Sequence, residues 1–418
     1  MRLKSAFILI LLMVCVSAWA QNGDSLKPYE DIQIIFGKKA RPRLDVDYQF
    51  SALSKDWSSQ QLYDFASAGF IDENAKQDLL DRTDDFLNFG AIQSWEISFV
   101  YQAHRRVKLL PIPKASVYLF NRSYTGMSLS KDLVELAFRG NKPFAGQSIE
   151  NQSIAFQNWF YSGLGFQFGI TVDTIPISVG IALTTVHDYN SVGAEIAQFS
   201  TTTNGTSIDF DGSYQYLSSQ ANFDYDIEGI GFALDLSSSE TWGLNQLDIG
   251  IQDFGWVYFN GLEQIERDTS FSFRGLQLGN LFRPNDGLVD EQRDSISGAL
   301  GGSKAVESWQ LLPFRASMEY RRRLRKKSAH SLGLALDYLY LPSYSLRSEV
   351  YHSYSFGDMQ LRSGIAYGGF TNWALNLQLF WDFAEYWEMR LALQNINGLV
   401  FPNNFNGAGA FASLRYYF

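Results

Sequence analysis

The chain has 418 residues, a formal net charge of −10 at pH 7 and a single cysteine, Cys15. An acidic chain lacks the basic footprint that nucleic acid requires, so no nucleic-acid partner is expected. After residue 20 no run approaches the roughly 18 apolar residues of a membrane-spanning helix. Helical membrane proteins are therefore excluded, and a membrane location would require a β-barrel.

The N-terminus has the three parts of an export signal. Arg2 and Lys4 precede an apolar stretch over residues 6–16, and residues 18–20 read Ala-Trp-Ala, an A-x-A cleavage site. The apolar stretch is too short to anchor the chain in a bilayer. We therefore predict a cleaved signal peptide over residues 1–20. Because it removes Cys15, the mature chain has no thiolate for a disulfide or a metal site.

Residues 21–90 are predicted to be an N-terminal segment with its own short helices. Apolar residues alternate from Leu44 to Phe50, which indicates one strand. The period then becomes helical, and we predict helices over 58–67 and 73–87 with acidic outer faces that suit water. These helices are expected to cap a barrel on its periplasmic side or to enter its lumen as a plug.

Residues 91–418 are dominated by strand patterns. A strand is expected from Ala115 to Asn121, and Ser130 can cap a helix that Gly140 ends. Gly163 and Gly165 are interpreted as strand glycines that let the wall bend or another group pack close. The long excursion over 261–313 is predicted to hold a strand at 271–273 and a helix near 288–300, within an outer loop or an inward constriction.

The alternation is clearest from Trp373 to Phe383, where every second residue is large and apolar. Ten residues of strand span about 33 Å, or about 25 Å along the membrane normal when tilted, which is the height of an outer-membrane apolar band. A soluble sandwich with inward apolar faces is the alternative. The opposite face carries small and polar residues that suit a crowded lumen. We predict an all-β protein, an antiparallel transmembrane β-barrel of about 14 strands with short helical insertions.

The last residues are in phase on one apolar face: Leu414, Tyr416 and Phe418. A terminal strand of this kind, on a chain with an export signal, is a candidate assembly signal for the bacterial outer membrane. We therefore expect the cell outer membrane as the location. The expected partners are outer-membrane lipid and the barrel-assembly machinery.

Four stretches together resemble a family of exported Bacteroidetes proteins that carry a domain of unknown function: Gly69–Asn74, Arg139–Gly146, Ile251–Trp256 and Tyr416–Phe418. The resemblance implies an outer-membrane barrel loosely akin to the fatty-acid-channel type, with no assigned substrate or site. The chain departs from the family pattern after the strand at residues 179–183. A basic residue with an aromatic residue and a glycine is expected there, and Thr184, Thr185 and Val186 follow instead.

Charges in phase with the inward face are the candidate lumen-lining residues: Arg315, Glu319, Arg347, Glu349, Arg362, Glu388, Arg390 and Arg415. One interpretation is a structural salt-bridge ladder that stiffens the wall, because a buried charge needs a partner. The other is that they set the selectivity of a solute path. No catalytic, cofactor-binding or metal residues are predicted, since the four histidines are scattered and no metal-binding or nucleophile motif occurs.

These patterns predict a non-enzymatic conduit or binding vessel for a small-molecule solute. Two alternatives stay open: a non-conducting scaffold barrel that docks envelope or secretion partners, and an exported soluble β-protein. The contents of the lumen separate the first two. A continuous charged path would favour conduction, whereas a lumen filled by residues 57–90 or 261–313 would favour the scaffold.

Overall fold

A computed structural model describes residues 42–68, 72–102, 114–172, 175–203, 208–219, 226–273, 303–325, 328–403 and 406–418. The expected signal peptide and the expected helix near residues 288–300 lie outside the described residues. The described chain forms one sheet of sixteen strands. These are β1 (Arg43–Ser54), β2 (Phe86–Gln102), β3 (Lys114–Ser130), β4 (Ser148–Val172), β5 (Ile175–Thr201), β6 (Ile208–Ser218), β7 (Gly229–Trp242), β8 (Asn245–Phe273), β9 (Lys304–Leu311), β10 (Arg315–Arg323), β11 (His330–Leu339), β12 (Ser345–Phe356), β13 (Met359–Gly369), β14 (Thr371–Ala384), β15 (Trp387–Gln394) and β16 (Gly407–Tyr417).

The sheet closes on itself, because β1 pairs antiparallel with both β2 and β16. Two places in the wall hold two strands end to end. Strands β7 and β6 follow one another between β5 and β8, and β10 and β9 follow one another on the other side of β8. Sixteen strands therefore fill fourteen positions around the wall. The predicted antiparallel barrel of about 14 strands is confirmed.

The apolar faces of the strands point away from the lumen. On β14 the side chain of Trp373 is 63% exposed and that of Leu375 is 49% exposed, and Leu391 on the neighbouring β15 is 41% exposed. The described residues form a single sheet, so no second sheet covers these side chains. An apolar surface of this extent suits lipid and not water. The expectation of an exported soluble β-protein is therefore wrong, and the fold is a transmembrane β-barrel.

Aromatic residues gather toward both ends of the outer face. The rings of Tyr367 and Trp373 lie 4.9 Å apart near one rim. Near the other rim the rings of Trp387 and Tyr416 lie 4.7 Å apart. Girdles of this kind mark the two edges of the lipid-facing band of an outer-membrane barrel.

The rim at which β16 ends is called the C-terminal rim, and the opposite end the far rim. Strands β7 and β8, β12 and β13, and β14 and β15 are joined at the C-terminal rim by tight two-residue turns. Short turns are typical of the periplasmic end of an outer-membrane barrel.

The helices lie at the far rim. Helices α1 (Ser59–Ala68) and α2 (Glu73–Arg82) join β1 to β2, α3 (Lys131–Arg139) joins β3 to β4 before a 3₁₀ turn at Lys142–Phe144, and α4 (Ile396–Val400) joins β15 to β16. Asp72 begins α2, and its Oδ1 accepts a hydrogen bond of 2.7 Å from the amide of Ala75. Within the described chain, every helix is too short or too polar to cross a membrane.

Three expectations about the N-terminal segment need correction. The second helix ends at Arg82 and not at residue 87, because β2 begins at Phe86. The helices lie at the end opposite Phe418, because β1 runs from the C-terminal rim to the far rim before they begin, so they are away from the rim whose short turns are typical of the periplasmic end. The wall also begins at Arg43 and not at residue 91, because β1 closes the barrel.

Candidate functional site in the lumen

A network of carboxylates and guanidinium groups covers the inner face of β10 to β13. Nη1 of Arg362 lies 3.1 Å from Oε2 of Glu319, and its Nη2 lies 3.2 Å from Oε1 of Glu349. Arg347 binds the other oxygen of Glu349 at 2.7 Å, and the side-chain amide of Asn376 donates to the same oxygen at 2.7 Å. Each carboxylate therefore has several donors, as a charge in a poorly hydrated lumen needs.

Tyr351 supports the pair of Glu319 and Arg362 within this network. Its hydroxyl donates to Oε1 of Glu319 at 2.5 Å, and Cζ of Arg362 lies 3.4 Å from the centre of its ring. The ring packs over Gly333 on β11, where an added Cβ would lie 2.2 Å from the ring. The glycine therefore lets the tyrosine lie flat against the wall, where its hydroxyl reaches Glu319.

The remaining predicted charges form two further groups. Arg315 pairs with Asp337, whose second oxygen accepts from the hydroxyl of Tyr344 at 2.5 Å. Closer to the C-terminal rim, Nη1 of Arg415 lies 2.8 Å from Oε1 of Glu388, and the hydroxyl of Tyr417 donates to Oε2 of that residue at 2.8 Å. All these groups therefore have partners across neighbouring strands.

Arg390 differs from the other predicted arginines. Its Cζ lies 5.0 Å and 5.1 Å from the ring centres of Phe380 and Phe411. When the Gln378 amide oxygen faces the guanidinium group, it accepts from both Nε and Nη2 at 2.6 Å. Among the residues that the structure describes, no carboxylate lies within 4.0 Å of it.

Two adjoining cavities lie between these side chains. The larger, of about 690 Å³, is lined by six of the predicted charges: Arg315, Glu319, Arg347, Glu349, Arg362 and Arg390. The smaller, of about 400 Å³, is lined on the other side by residues that include Asp45, Asp47 and Asp235. Lys114 and Arg315 line both cavities. We call the larger cavity the chamber. Its volume is within the usual range for a small-molecule site.

A second ion-pair group lies in the middle of the lumen and was not predicted. Arg122 on β3 pairs with Asp253 on β8 and lies 3.1 Å from Glu96 on β2. The hydroxyl of Tyr161 donates to Asp253 at 3.2 Å. The side chains of Arg122 and Asp253 are only 4% and 3% exposed, so water is nearly excluded at this level.

Buried aromatic rings surround this ion-pair group. They come from the inner faces of β3, β4, β5 and β8 and belong to one apolar cluster that includes Phe120, Tyr124, Trp159, Tyr189 and Phe259. Trp159 and Tyr189 have ring centres 4.2 Å apart, and Tyr189 and Phe259 have centres 5.3 Å apart. We call these rings with Arg122 and Asp253 the mid-lumen layer. Side chains from the wall strands form this layer.

Two connections at the far rim fold inward onto the opposite wall. Phe370, between β13 and β14, lies against Gly90 on β2, where an added Cβ would be 2.2 Å from its ring. The connection between β11 and β12 lies against Gly126 on β3, where an added Cβ would be 2.6 Å from the carbonyl oxygen of Pro342 and 2.7 Å from Cγ of Leu341. The hydroxyl of Ser343 donates to the carbonyl of Phe89 at 3.2 Å. These inward connections, residues 340–344 and 368–371, extend the closure of the lumen toward the far rim, because Leu341 and Phe370 belong to the same buried apolar cluster as the rings of the mid-lumen layer.

The candidate assembly residues lie on the outer face. Leu414 is 38% exposed and Phe418 is 56% exposed. The ring of Phe418 lies 5.0 Å from that of Tyr416 and 6.0 Å from that of Phe99. These residues line the outer edge of the C-terminal rim.

No known family profile matches the sequence, and no curated protein matches it. Several solved barrels align with most of the chain. The toluene transporter TodX of P. putida aligns over 94% of this chain and 93% of its own, with a TM-score of 0.41 and 9% identity. The translocator domain of the autotransporter NalP of Neisseria meningitidis aligns over 93% of this chain and 92% of its own, with a TM-score of 0.33 and 7% identity. The CymD monoaromatic hydrocarbon channel aligns over 91% of this chain and 89% of its own, with a TM-score of 0.37 and 9% identity. At such scores the likeness says nothing about a ligand.

Proposed function

We propose that this protein is an outer-membrane β-barrel that acts as a gated conduit or binding vessel for a small polar solute, without catalysis of its own. One observation carries the proposal: the charged chamber of about 690 Å³ lies inside the wall, between the C-terminal rim and the mid-lumen layer. A solute that enters from the C-terminal rim would meet the predicted lumen charges before it meets the layer. Those charges would then select the solute.

The outer membrane is the proposed location because the outer face is apolar between two aromatic girdles. The signal peptide at residues 1–20 would direct export. Leu414, Tyr416 and Phe418 would serve the barrel-assembly machinery.

The mid-lumen layer and the inward connections imply a gate. Transport through the lumen would require the connections at 340–344 and 368–371 to move and the side chains of the mid-lumen layer to rearrange, while the backbone of the wall stays intact. Phe370 and Leu341 each fill a space above a glycine, so smaller side chains there would loosen the closure.

Planar-bilayer conductance of the refolded protein tests this proposal. The wild type is expected to show a low conductance with brief openings. The double variant Phe370→Ala, Leu341→Ala should show longer or larger openings. Leu375→Ala, on the lipid-facing side, is the matched control and should behave as the wild type. In the opened variant, Arg347→Gln should shift the ratio of anion to cation permeability.

The scaffold barrel is the second candidate, and the buried mid-lumen layer favours it. A barrel that conducts nothing has no need of a chamber but gains stability from a filled lumen. Absence of current from both the wild type and the double variant, with a correctly folded barrel, would favour the scaffold over the conduit.

A further inference from the structure

The chamber carries an excess of positive charge although the whole chain is acidic. Five basic and four acidic residues line it: Lys114, Arg315, Arg347, Arg362, Arg390, Asp248, Glu319, Asp337 and Glu349. Three of the carboxylates pair with Arg315, Arg347 and Arg362. Asp248 accepts from the side-chain amide of Gln246 at 3.0 Å. Among the described residues, no carboxylate lies within 4.0 Å of Lys114 or Arg390.

Arg390 is held in place without being neutralised. Phe380 and Phe411 flank the guanidinium group, and Gln378 takes two of its donors. A guanidinium group has five N–H donors, so three remain for another acceptor. An arginine taken partly out of water without a counter-charge is costly, and a bound anion would remove that cost.

The surroundings restrict where an anion can lie. The adjoining smaller cavity is lined by the carboxylates of Asp45, Asp47, Glu96 and Asp235 and by fewer basic residues. It would therefore repel an anion. Of the two unpaired cations, Arg390 lines the chamber alone, and Lys114 lines both cavities.

We infer that Arg390 binds the carboxylate of a small organic anion in the chamber, with Lys114 as the second cation. This inference rests on the proposed function, because it names the class of solute that the chamber would take. Arginine is suited to the task, since its planar fork can donate two parallel hydrogen bonds to one carboxylate. The chamber volume of about 690 Å³ admits an acid of several carbons.

Isothermal titration of the folded protein in detergent tests the inference without requiring conduction. Succinate is the probe, with putrescine as a dication of similar length and glycerol as a neutral solute. Succinate should bind, and Arg390→Gln should weaken its binding about tenfold to hundredfold, as expected for a lost charge-assisted contact. Arg390→Lys should retain part of the affinity. Arg322→Gln makes the same change in net charge on an exposed side chain and should leave binding unchanged.

Three results would overturn the inference: no succinate binding by the folded wild type, equal binding by Arg390→Gln, or preferential binding of putrescine. If Arg390→Gln fails to fold, Lys114→Gln replaces it, and undiminished affinity in that variant would count against the inference. A conducting protein that does not bind succinate would keep the proposed conduit but remove its anionic substrate. A protein that binds succinate and never conducts would keep the anion site and remove the conduit.

Discussion

Arg122 on β3 and Asp253 on β8 form an ion pair near the centre of the lumen. Asp253 lies where the register between β7 and β8 shifts, and its backbone has a φ of 60°, in the left-handed region. This conformation lets its carboxylate reach Arg122. Its amide donates to Oδ1 of Asp235 at 2.8 Å, which helps to hold this conformation. The irregularity therefore turns a carboxylate inward at the level of Arg122.

We predict that Arg122→Leu destabilises the barrel by about 3–5 kcal/mol, because it leaves the Asp253 carboxylate buried without its partner. Urea unfolding of the refolded protein in lipid vesicles measures the loss. Adding Asp253→Leu should recover part of it, since both charges are then gone. Arg139→Leu, which breaks a partly exposed pair with Glu135 on α3, should cost less than about 1 kcal/mol. Similar losses in both single variants would contradict the prediction.

A second prediction concerns Gly163 on β4. A Cβ at this position would lie 2.3 Å from Cζ of Phe120 and 2.9 Å from the carbonyl oxygen of Leu183. Gly163→Ala should therefore displace the ring and destabilise the barrel by about 1–3 kcal/mol. Gly193→Ala on β5 is the matched control, because nothing lies within 4 Å of its added Cβ. The same unfolding measurement applies, and equal effects at the two glycines would contradict the role of close packing.

A third prediction concerns Asp56, which lies between β1 and α1. Burial raises the pKa of its carboxyl to about 6 from 3.8, although the amide of Asn88 donates to it. The folded protein therefore holds this proton more tightly than the unfolded chain. Protonation of Asp56 therefore stabilises the folded protein at low pH. This stabilisation is lost as the pH rises from about 4 to about 6, and above that range Asp56 causes no further change in the unfolding free energy.

Asp56→Asn should flatten this part of the profile of unfolding free energy against pH. At pH 8 the variant should be at least as stable as the wild type, because it removes a charge that burial disfavours. Unfolding midpoints between pH 4 and pH 8 give the measurement. An unchanged slope in the variant would assign the pH dependence to other groups.

Much of the wall could be predicted from the alternation alone. The outer face of β14 is confirmed, because a period of two over eleven residues indicates an extended strand with one apolar face. The helix that follows Ser130 is also confirmed, although the serine hydroxyl donates to the carbonyl of Ser153 and does not cap the helix. The alternation along a strand therefore predicted which face of the wall a side chain occupies. It did not predict which group a given polar side chain binds.

The mid-lumen layer shows what the pattern could not supply. The strand predicted from Ala115 to Asn121 stops one residue before Arg122, whereas β3 continues to Ser130. Arg122 is in phase with Phe120 and Tyr124, so a longer strand would have revealed an inward arginine between two aromatic residues. Its pairing with Asp253 depends on a contact between distant parts of the chain, which no local pattern encodes.

The final prediction separates assembly from stability at Phe418. In the folded barrel its ring makes edge contacts with Tyr416 and Phe99 and is otherwise exposed to lipid. Phe418→Ala should therefore change the unfolding free energy of the refolded barrel by no more than about 1 kcal/mol. If Phe418 belongs to the assembly signal, the amount of barrel assembled in cells should nevertheless fall several-fold, measured by fractionation and heat-dependent gel mobility. Tyr354→Ala removes an outward aromatic near the same rim, 40% exposed, and should assemble normally. Normal assembly of the Phe418 variant, or an equal defect in the Tyr354 variant, would remove the special role of the terminal residue.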